Sequence, residues 1–328
     1  MSAPGTPGSD RTGPAAGGDI LWRKVGAAVL MAVVIVGLVI ADFMIGLDVC
    51  FFVAVLVLGL CALGEFYTMC ESRRTGPFRW WGLFCLALLT ILHWASLPGT
   101  FEWFRDRLGA TWLFRAPVAG DDLVLLGMVV AVLGALQLQS QKRDNDRVFE
   151  SISSTLFGLL YVWFLSSFLV KLRHMGADGV LGGRDWNLTG SGLLVSCLVA
   201  SKLADVGGYL VGRKIGRTRM IPRISPNKTY EGLVAGLALS VAATLLMWRF
   251  GFLPLGPWWQ ALLFALVAGG LGVLGDLAES LLKRGSGVKD AGAVVPGFGG
   301  VLDVIDSVLV SGTVVYFLCL VLLRVGAA

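Results

Sequence analysis

The sequence predicts an all-α integral membrane protein that crosses the bilayer about nine times. Of its 328 residues, 56% are hydrophobic and only 15% are charged, whereas charged residues make up about 25% of an ordinary soluble domain. The mean hydropathy is +0.77, and apolar segments long enough to span a bilayer recur along the chain. These observations exclude a soluble globular protein.

The chain is expected to begin with a tail and continue as a series of membrane helices. Residues 1–20 are mainly Gly, Pro, Ser and Ala, which predicts a disordered cytoplasmic tail. The segment 25–45 has the length of a full span, so we predict a retained first helix rather than a signal peptide. The predicted helices are 25–45, 48–69, 81–97, 123–139, 154–171, 191–212, 232–250, 258–282 and 300–323. They form an N-terminal transmembrane region, 21–190, and a C-terminal region, 191–328.

The distribution of Lys and Arg predicts the orientation of these helices. Most basic residues fall on one side of the membrane if the N-terminus is cytoplasmic and the C-terminus lies outside. Two loops rich in basic residues, 213–231 and 283–299, then face the cytoplasm, where nucleotides are found. Because the basic residues sit in short loops between apolar spans, the net charge of +5 does not indicate a nucleic-acid partner.

Cysteine and histidine are not expected to carry chemistry in this protein. The six cysteines lie in or beside apolar segments, no CxxC pair occurs, and the chain has only two histidines. Disulfides, a zinc site and a Cys–His nucleophile are therefore not predicted. The cysteines are expected to act as small buried hydrophobic residues.

Acidic residues collect near the cytoplasmic ends of the last predicted helices. Asp276 and Glu279 stand three residues apart, as do Asp303 and Asp306, so each pair shares one helix face. A fifth, Asp205, lies in the sixth span. Ionisable groups inside a span are costly unless paired or hydrated, and by default they indicate a functional site. The alternative for Asp205 is a structural pair with Lys202, one helical turn away.

The neighbouring loops suggest what such acids bind. Hard oxygen ligands beside a phosphate site suit Mg²⁺, which takes one or two carboxylates together with water and phosphate oxygens. The basic loops could balance a triphosphate and an anionic lipid headgroup, or could simply reflect positive-inside topology. No P-loop or dinucleotide-binding glycine motif occurs, so a nucleotide site would be built from helix ends.

Both charged segments resemble the phosphatidate cytidylyltransferases (CDP-diacylglycerol synthases). Residues at that family's spacing in the C-terminal signature are Ser280, Lys283, Arg284, Lys289, Asp290, Pro296, Gly297, Gly299, Gly300, Asp303 and Asp306. Upstream, the matching residues are Asp205, Gly207, Tyr209, Gly212, Arg213 and the run SPNKTYEG from Ser225 to Gly232. The resemblance covers roughly residues 191–328; the first half matches only as apolar helices, with a Glu65-Phe66 pair.

This resemblance implies that CTP and phosphatidic acid react to CDP-diacylglycerol and pyrophosphate with Mg²⁺, in a bacterial cytoplasmic membrane. The implied catalytic residues are Asp276, Lys283, Arg284, Lys289, Asp290 and Asp303. The implied substrate-binding residues are Asp205, Arg213, Ser225, Lys228, Thr229 and Glu231. The implied metal ligands are Asp276, Asp303 and Asp306. A second, monovalent cation and a homodimer stay open.

Two positions depart from the family pattern, and three alternatives follow from the sequence. Phe298 stands where the family commonly has His, and Val304 where it commonly has Arg. Both changes remove a possible phosphate donor, which leaves an inactive scaffold as one alternative. A CTP-dependent enzyme acting on another lipid, such as a polyprenol kinase, is the second. The third is an ion-coupled transporter, although such proteins place their acids near the bilayer midplane on repeated helices.

Overall fold

The computed structural model of the protein describes most of the chain as a bundle of long helices. The residues described are 49–73, 75–97, 120–142, 146–175, 186–288, 291–292 and 299–325, together with Gly26, Gly37 and Asp42. Apart from those three positions, the predicted tail and the predicted first helix lie outside this range. The first described helix therefore corresponds to the second predicted helix.

Nine α-helices and one hairpin follow each other along the described chain. The helices are α1 (Val49–Ser72), α2 (Arg79–Ala95), α3 (Gly120–Ser140), α4 (Val148–Gly158), α5 (Leu165–Arg173), α6 (Trp186–Ile215), α7 (Tyr230–Arg249), α8 (Trp258–Ser286) and α9 (Val301–Val325). A π-helical segment, Leu159–Phe164, joins α4 to α5 into one continuous helix. The antiparallel strands β1 (Arg219–Ile221) and β2 (Ser225–Thr229) form the hairpin.

Seven of these helices are long and apolar enough to cross a membrane. They are α1, α3, the continuous helix Val148–Arg173, α6, α7, α8 and α9, whereas α2 is a shorter apolar helix of 17 residues. The protein is thus a helical, polytopic membrane protein. The count of nine spans and the positions of the termini stay predictions. The hairpin is an exception to the predicted all-α class, and it lies inside the predicted loop 213–231.

Several contacts bring helix ends and loops together at one end of the bundle, called here the loop end. The Ser72 hydroxyl at the end of α1 donates to the Ser286 carbonyl at the end of α8, at 3.1 Å. The Ser151 hydroxyl at the start of α4 donates to the Thr75 carbonyl just beyond α1, also at 3.1 Å. Helix α4 therefore begins at the loop end. Helix α9 also begins there, because the N–H of Val301 at its start donates to Glu65 of α1.

Close helix packing at the loop end depends on glycine. A Cβ atom at Gly275 of α8 would lie 2.6 Å from the carbonyl oxygen of Asp306 and 2.9 Å from the Cα of Ser307, both on α9. Only glycine allows the two backbones to approach this closely, as is common between membrane helices. The acidic residues of α8 and α9 are held next to each other as a result.

Candidate active site at the loop end

Three carboxylates from two helices form a compact acidic group. Asp276 and Glu279 lie one turn apart on α8, and Asp306 lies on α9 opposite Gly275. One oxygen of each carboxylate lies within 4.8 Å of the others. Glu279 and Asp306 are each only 1% exposed. Carboxylates this close and this buried need positive charge beside them.

Two oxygens of this group lack a hydrogen-bond partner among the described residues. These are Oε1 of Glu279 and Oδ2 of Asp306. A buried carboxylate oxygen without a partner is costly, so its environment is expected to contain a cation or water when the protein works. Mg²⁺ prefers carboxylate and water oxygens. The donor set therefore fits a hard divalent cation of the kind the sequence predicts.

Lys228 connects the hairpin to the acidic group. Its Nζ lies 2.5 Å from Oδ2 of Asp276 and 4.0 Å from Oδ1 of Asp205 on α6. It also donates a hydrogen bond of 3.1 Å to the carbonyl of Val273 on α8. The side chain thus brings residues from α6, β2 and α8 together.

Lys283 bridges the acidic group and the start of α9. Its Nζ lies 2.8 Å from Oε2 of Glu279 and 2.6 Å from Oδ1 of Asp303. The other oxygen of Asp303 accepts hydrogen bonds from the backbone N–H of Gly300 at 2.8 Å and of Ala291 at 3.2 Å. Asp303 therefore lies at the edge of the acidic group, with one oxygen held by lysine and the other by backbone.

A third lysine lies beside Asp306, deeper in the bundle. The Lys202 ammonium donates to the Ser307 hydroxyl at 2.6 Å and lies 3.8 Å from Oδ1 of Asp306. The acidic site then contains five carboxylates and three lysines: Asp205, Asp276, Glu279, Asp303 and Asp306 with Lys202, Lys228 and Lys283. With every one of these groups ionised, the set has a formal net charge of −2, which one divalent cation would balance.

Three of the predicted substrate-binding residues have structural contacts in the hairpin. The Thr229 hydroxyl caps α7 by accepting a 3.1 Å hydrogen bond from the N–H of Gly232. The carboxylate of Glu231 accepts from the N–H of Thr218 at 3.1 and 3.2 Å, which ties α7 to the start of the hairpin. Ser225 opens β2 and pairs with Ile221. Contact of these three residues with substrate stays a prediction.

The remaining predicted residues are exposed or lie outside the described range. Arg284 is exposed at the end of α8, and exposed Arg213 donates to the Tyr209 hydroxyl at 3.3 Å. Lys289, Asp290 and Phe298 fall outside the described residues. The roles predicted for Lys289 and Asp290 therefore stay predictions.

Two residues of the site were not assigned to it from the sequence. Glu279 was noted only for sharing a helix face with Asp276, yet it belongs to the three-carboxylate group. Glu65 of α1 is 6% exposed, and its two oxygens accept 2.9 Å hydrogen bonds from the N–H groups of Val301 and Leu302. Glu65 thus caps α9 from a helix that is distant in sequence but adjacent in space. An acidic residue in an apolar span was the available signal in both cases.

Comparison with known proteins gives consistent matches over most of the chain. A family model described as "Cytidylyltransferase family" matches residues 26–322. The chain is similar to phosphatidate cytidylyltransferase 4, chloroplastic, of Arabidopsis thaliana, with 37% identity over 60% of this chain and 51% of the relative. It is also similar to the phosphatidate cytidylyltransferases of a Synechocystis species (38% identity; 53% of this chain, 64% of the relative) and Bacillus subtilis (29%; 72% and 83%). The chain spans about half the length of the plant relatives.

Proposed function

The chain belongs to the cytidylyltransferase family, and from this premise we propose that it is a CTP:phosphatidate cytidylyltransferase. The observation that carries the proposal is the acidic group of Asp276, Glu279 and Asp306, with Lys228 and Lys283 bound to its edges. This arrangement of acids and lysines suits a divalent cation and phosphates together. The names of the similar proteins support CTP and phosphatidic acid as the substrates.

The proposed reaction needs alignment and charge neutralisation more than proton transfer. A phosphate monoester has a second pKa of about 6, so the phosphate of phosphatidic acid is largely ionised at neutral pH. One of its oxygens forms a bond to the α-phosphorus of CTP, the bond from that phosphorus to the bridging oxygen breaks, and pyrophosphate leaves. Lys228 and Lys283 bind and orient the phosphates. No covalent enzyme intermediate is required.

In this proposal the acidic group holds Mg²⁺. Asp276, Glu279 and Asp306 offer carboxylate oxygens within 4.8 Å of one another, whereas Asp303 binds Lys283 through its Oδ1. The ion would supply positive charge that neutralises the negative charge developing on the phosphates. The lysines and the acids then have separate tasks, because the lysines hold phosphate oxygens while the acids hold the cation.

A direct assay separates the proposed function from its alternatives. The purified full-length protein is incubated with CTP, phosphatidic acid and Mg²⁺, and the lipid and nucleotide products are identified. The proposal expects CDP-diacylglycerol and pyrophosphate in equal amounts, both lost with EDTA. A lipid kinase would release CDP instead, and an inactive scaffold or a transporter would release neither product.

Replacing Lys228 by Ala is expected to raise the apparent KM for CTP about tenfold, with a smaller effect on the KM for phosphatidic acid. A hydrogen bond to a charged group contributes about 1.5–3 kcal/mol, and about 1.4 kcal/mol corresponds to a tenfold change in affinity. Steady-state kinetics with each substrate varied in turn would measure both constants.

Lys214→Ala serves as the control, because Lys214 is an exposed basic residue at the end of α6. This variant should leave both constants close to those of the wild-type protein. If Lys228→Ala affects only the lipid constant, the hairpin binds the lipid phosphate and not CTP.

The hairpin is predicted to face the cytoplasm, and cysteine labelling would test this. Asn227 is exposed at the hairpin, and Pro257 is exposed before α8 at the opposite end of the bundle. In intact cells an impermeant maleimide should label Pro257→Cys but not Asn227→Cys, which should react only after permeabilisation. The parent protein, with its six native cysteines, gives the background. Labelling of Asn227→Cys in intact cells would place the site on the wrong side for cytoplasmic CTP.

A further inference from the structure

A π-helical segment, Leu159–Phe164, lies just before α5, the part of its helix that contacts α9, and it carries the buried Tyr161. Tyr161 is 8% exposed, and its hydroxyl has no hydrogen-bond partner among the described residues. Single π-helical turns inside α-helices often occur at functional sites. A buried hydroxyl without a partner is costly. The burial of the Tyr161 hydroxyl therefore needs a physical explanation.

The geometry of the two helices brings this hydroxyl towards the acidic group. The continuous helix containing Tyr161 and α9 both begin at the loop end, and the Thr313 hydroxyl of α9 donates to the Leu165 carbonyl at 3.4 Å. Tyr161 lies four residues closer to the loop end than Leu165, which is about 6 Å at 1.5 Å per residue. Asp306 lies seven residues closer to the loop end than Thr313, which is about 10 Å on the same scale. Helical side chains tilt towards the N-terminus of their helix. The tyrosine side chain is long enough to span the difference between these two positions along the bundle.

Two further observations support this placement. Tyr161 belongs to the same buried cluster as Leu302 and Leu309, which flank Asp306 on one face of α9. Its hydroxyl lies within electrostatic reach of the carboxylates of Asp306, Glu279 and Asp276. Three polar atoms without a hydrogen-bond partner among the described residues therefore belong to side chains that interact electrostatically: the Tyr161 hydroxyl, Oε1 of Glu279 and Oδ2 of Asp306.

Neighbouring aromatic rings hold the tyrosine ring in one orientation. Phe157 stacks on it with the ring centroids 6.0 Å apart and an interplanar angle of 7°, and Phe66 of α1 lies 6.3 Å away. A ring fixed in this way cannot turn its hydroxyl towards a distant backbone acceptor without breaking these contacts. The hydroxyl is preorganised to meet a partner located between the helices.

We propose that Tyr161 is a positioning residue for the cation held by the acidic group, with its hydroxyl hydrogen-bonded to a water of the ion's hydration shell. The inference rests on the proposed function, since it requires the acidic group to bind a divalent cation. Mg²⁺ usually keeps several of its waters when bound by protein. Such a water, placed between Tyr161 and the two carboxylates, gives all three partnerless atoms a hydrogen-bond partner or a ligand. Outer partners of this kind commonly change metal affinity or activity about 10–100-fold.

Tyr161→Phe removes only the hydroxyl. The variant should be at least as stable as the wild type without Mg²⁺, but it should be stabilised less readily by Mg²⁺. Without Mg²⁺ the full-length protein in detergent should melt at the wild-type temperature or slightly above, because a partnerless hydroxyl is lost. The Mg²⁺ concentration for half-maximal thermal stabilisation should rise about tenfold. The Mg²⁺ dependence of CDP-diacylglycerol synthesis should shift equally, with kcat at saturating Mg²⁺ near the wild-type value.

Tyr67→Phe is the matched control, because Tyr67 is fully buried and its hydroxyl donates to the Thr155 carbonyl at 2.9 Å. This variant should melt lower at every Mg²⁺ concentration while its half-saturation stays unchanged. The inference would be overturned if Tyr161→Phe needs the same Mg²⁺ concentration as the wild type for half-maximal stabilisation, or if both variants raise this concentration equally. Either result would leave the cation site in place. A wild-type protein that Mg²⁺ does not stabilise would overturn the cation site and this inference with it.

Discussion

Replacing Asp276 by Asn is expected to lower the turnover of CDP-diacylglycerol synthesis at least ~100-fold, the scale of removing one preorganised electrostatic contact. Asn keeps the shape of the side chain but removes the negative charge that Lys228 and the proposed cation share. The protein should remain folded, because Asp276 is only partly buried and the amide oxygen of Asn can still accept a hydrogen bond from Lys228. Turnover at saturating CTP and phosphatidic acid, across a range of Mg²⁺ concentrations, gives the measurement.

Asp303→Asn is expected to cause a loss of the same size, and its Mg²⁺ dependence tests how Asp303 acts. If Asp303 is a cation ligand, the substitution should raise the Mg²⁺ concentration that the reaction needs. If Asp303 only holds Lys283, the substitution should raise the KM values for the substrates instead. Asp122→Asn, at an exposed carboxylate near the start of α3, is the control and should behave as wild type. Near-normal, Mg²⁺-dependent synthesis by Asp303→Asn would remove Asp303 from the ligand set. Yield and melting temperature identify variants that simply fail to fold.

Replacing Glu65 by Ala is expected to destabilise the protein by about 3 kcal/mol or more, since two hydrogen bonds to a charged group contribute about 1.5–3 kcal/mol each. The substitution leaves the N–H groups of Val301 and Leu302 at the buried start of α9 without their acceptors. It also frees the helix that carries Asp303 and Asp306 from α1. A fall in melting temperature and in turnover should therefore occur together.

Glu71→Ala on the same helix is the matched control for Glu65→Ala. Glu71 is 46% exposed, and its carboxylate lies 3.8 Å from the Arg79 guanidinium. Exposed ion pairs contribute about 0–1 kcal/mol, so this variant should melt close to the wild-type temperature. Equal stability of the two variants would show that the cap on α9 is not needed for the fold.

The helices of the described chain could be predicted because a membrane helix is specified locally by its own apolar residues. The predicted segments 48–69, 232–250 and 258–282 correspond to α1, α7 and α8, with differences mainly at their ends. Those ends extend further because polar residues such as Lys283 and Arg284 continue the helix beyond its apolar part. Hydropathy does not detect such continuations.

The site was predicted only in part, because its contacts join residues far apart in sequence. The two acidic pairs were identified from their positions in or beside apolar spans, and Lys228 from its position in a basic loop that resembles a family motif. Which acid pairs with which lysine depends on helix packing, so the bridge of Lys283 between Glu279 and Asp303 could not be predicted from spacing. The same holds for Glu65, since its partners lie 236 and 237 residues away.

The contact at Gly275 sets a lower limit on the distance between the acids of the candidate site. Backbone meets backbone there, at the level of Asp306, so the gap between the acids of α8 and α9 is limited by main-chain atoms. Main-chain atoms cannot change rotamer, and they are not compressed by changes in the surrounding acyl chains as a flexible side-chain contact would be. Main-chain contact therefore prevents the two helices from moving closer together at this level. A change in bilayer composition is accordingly not expected to bring the carboxylates of the candidate site nearer to each other.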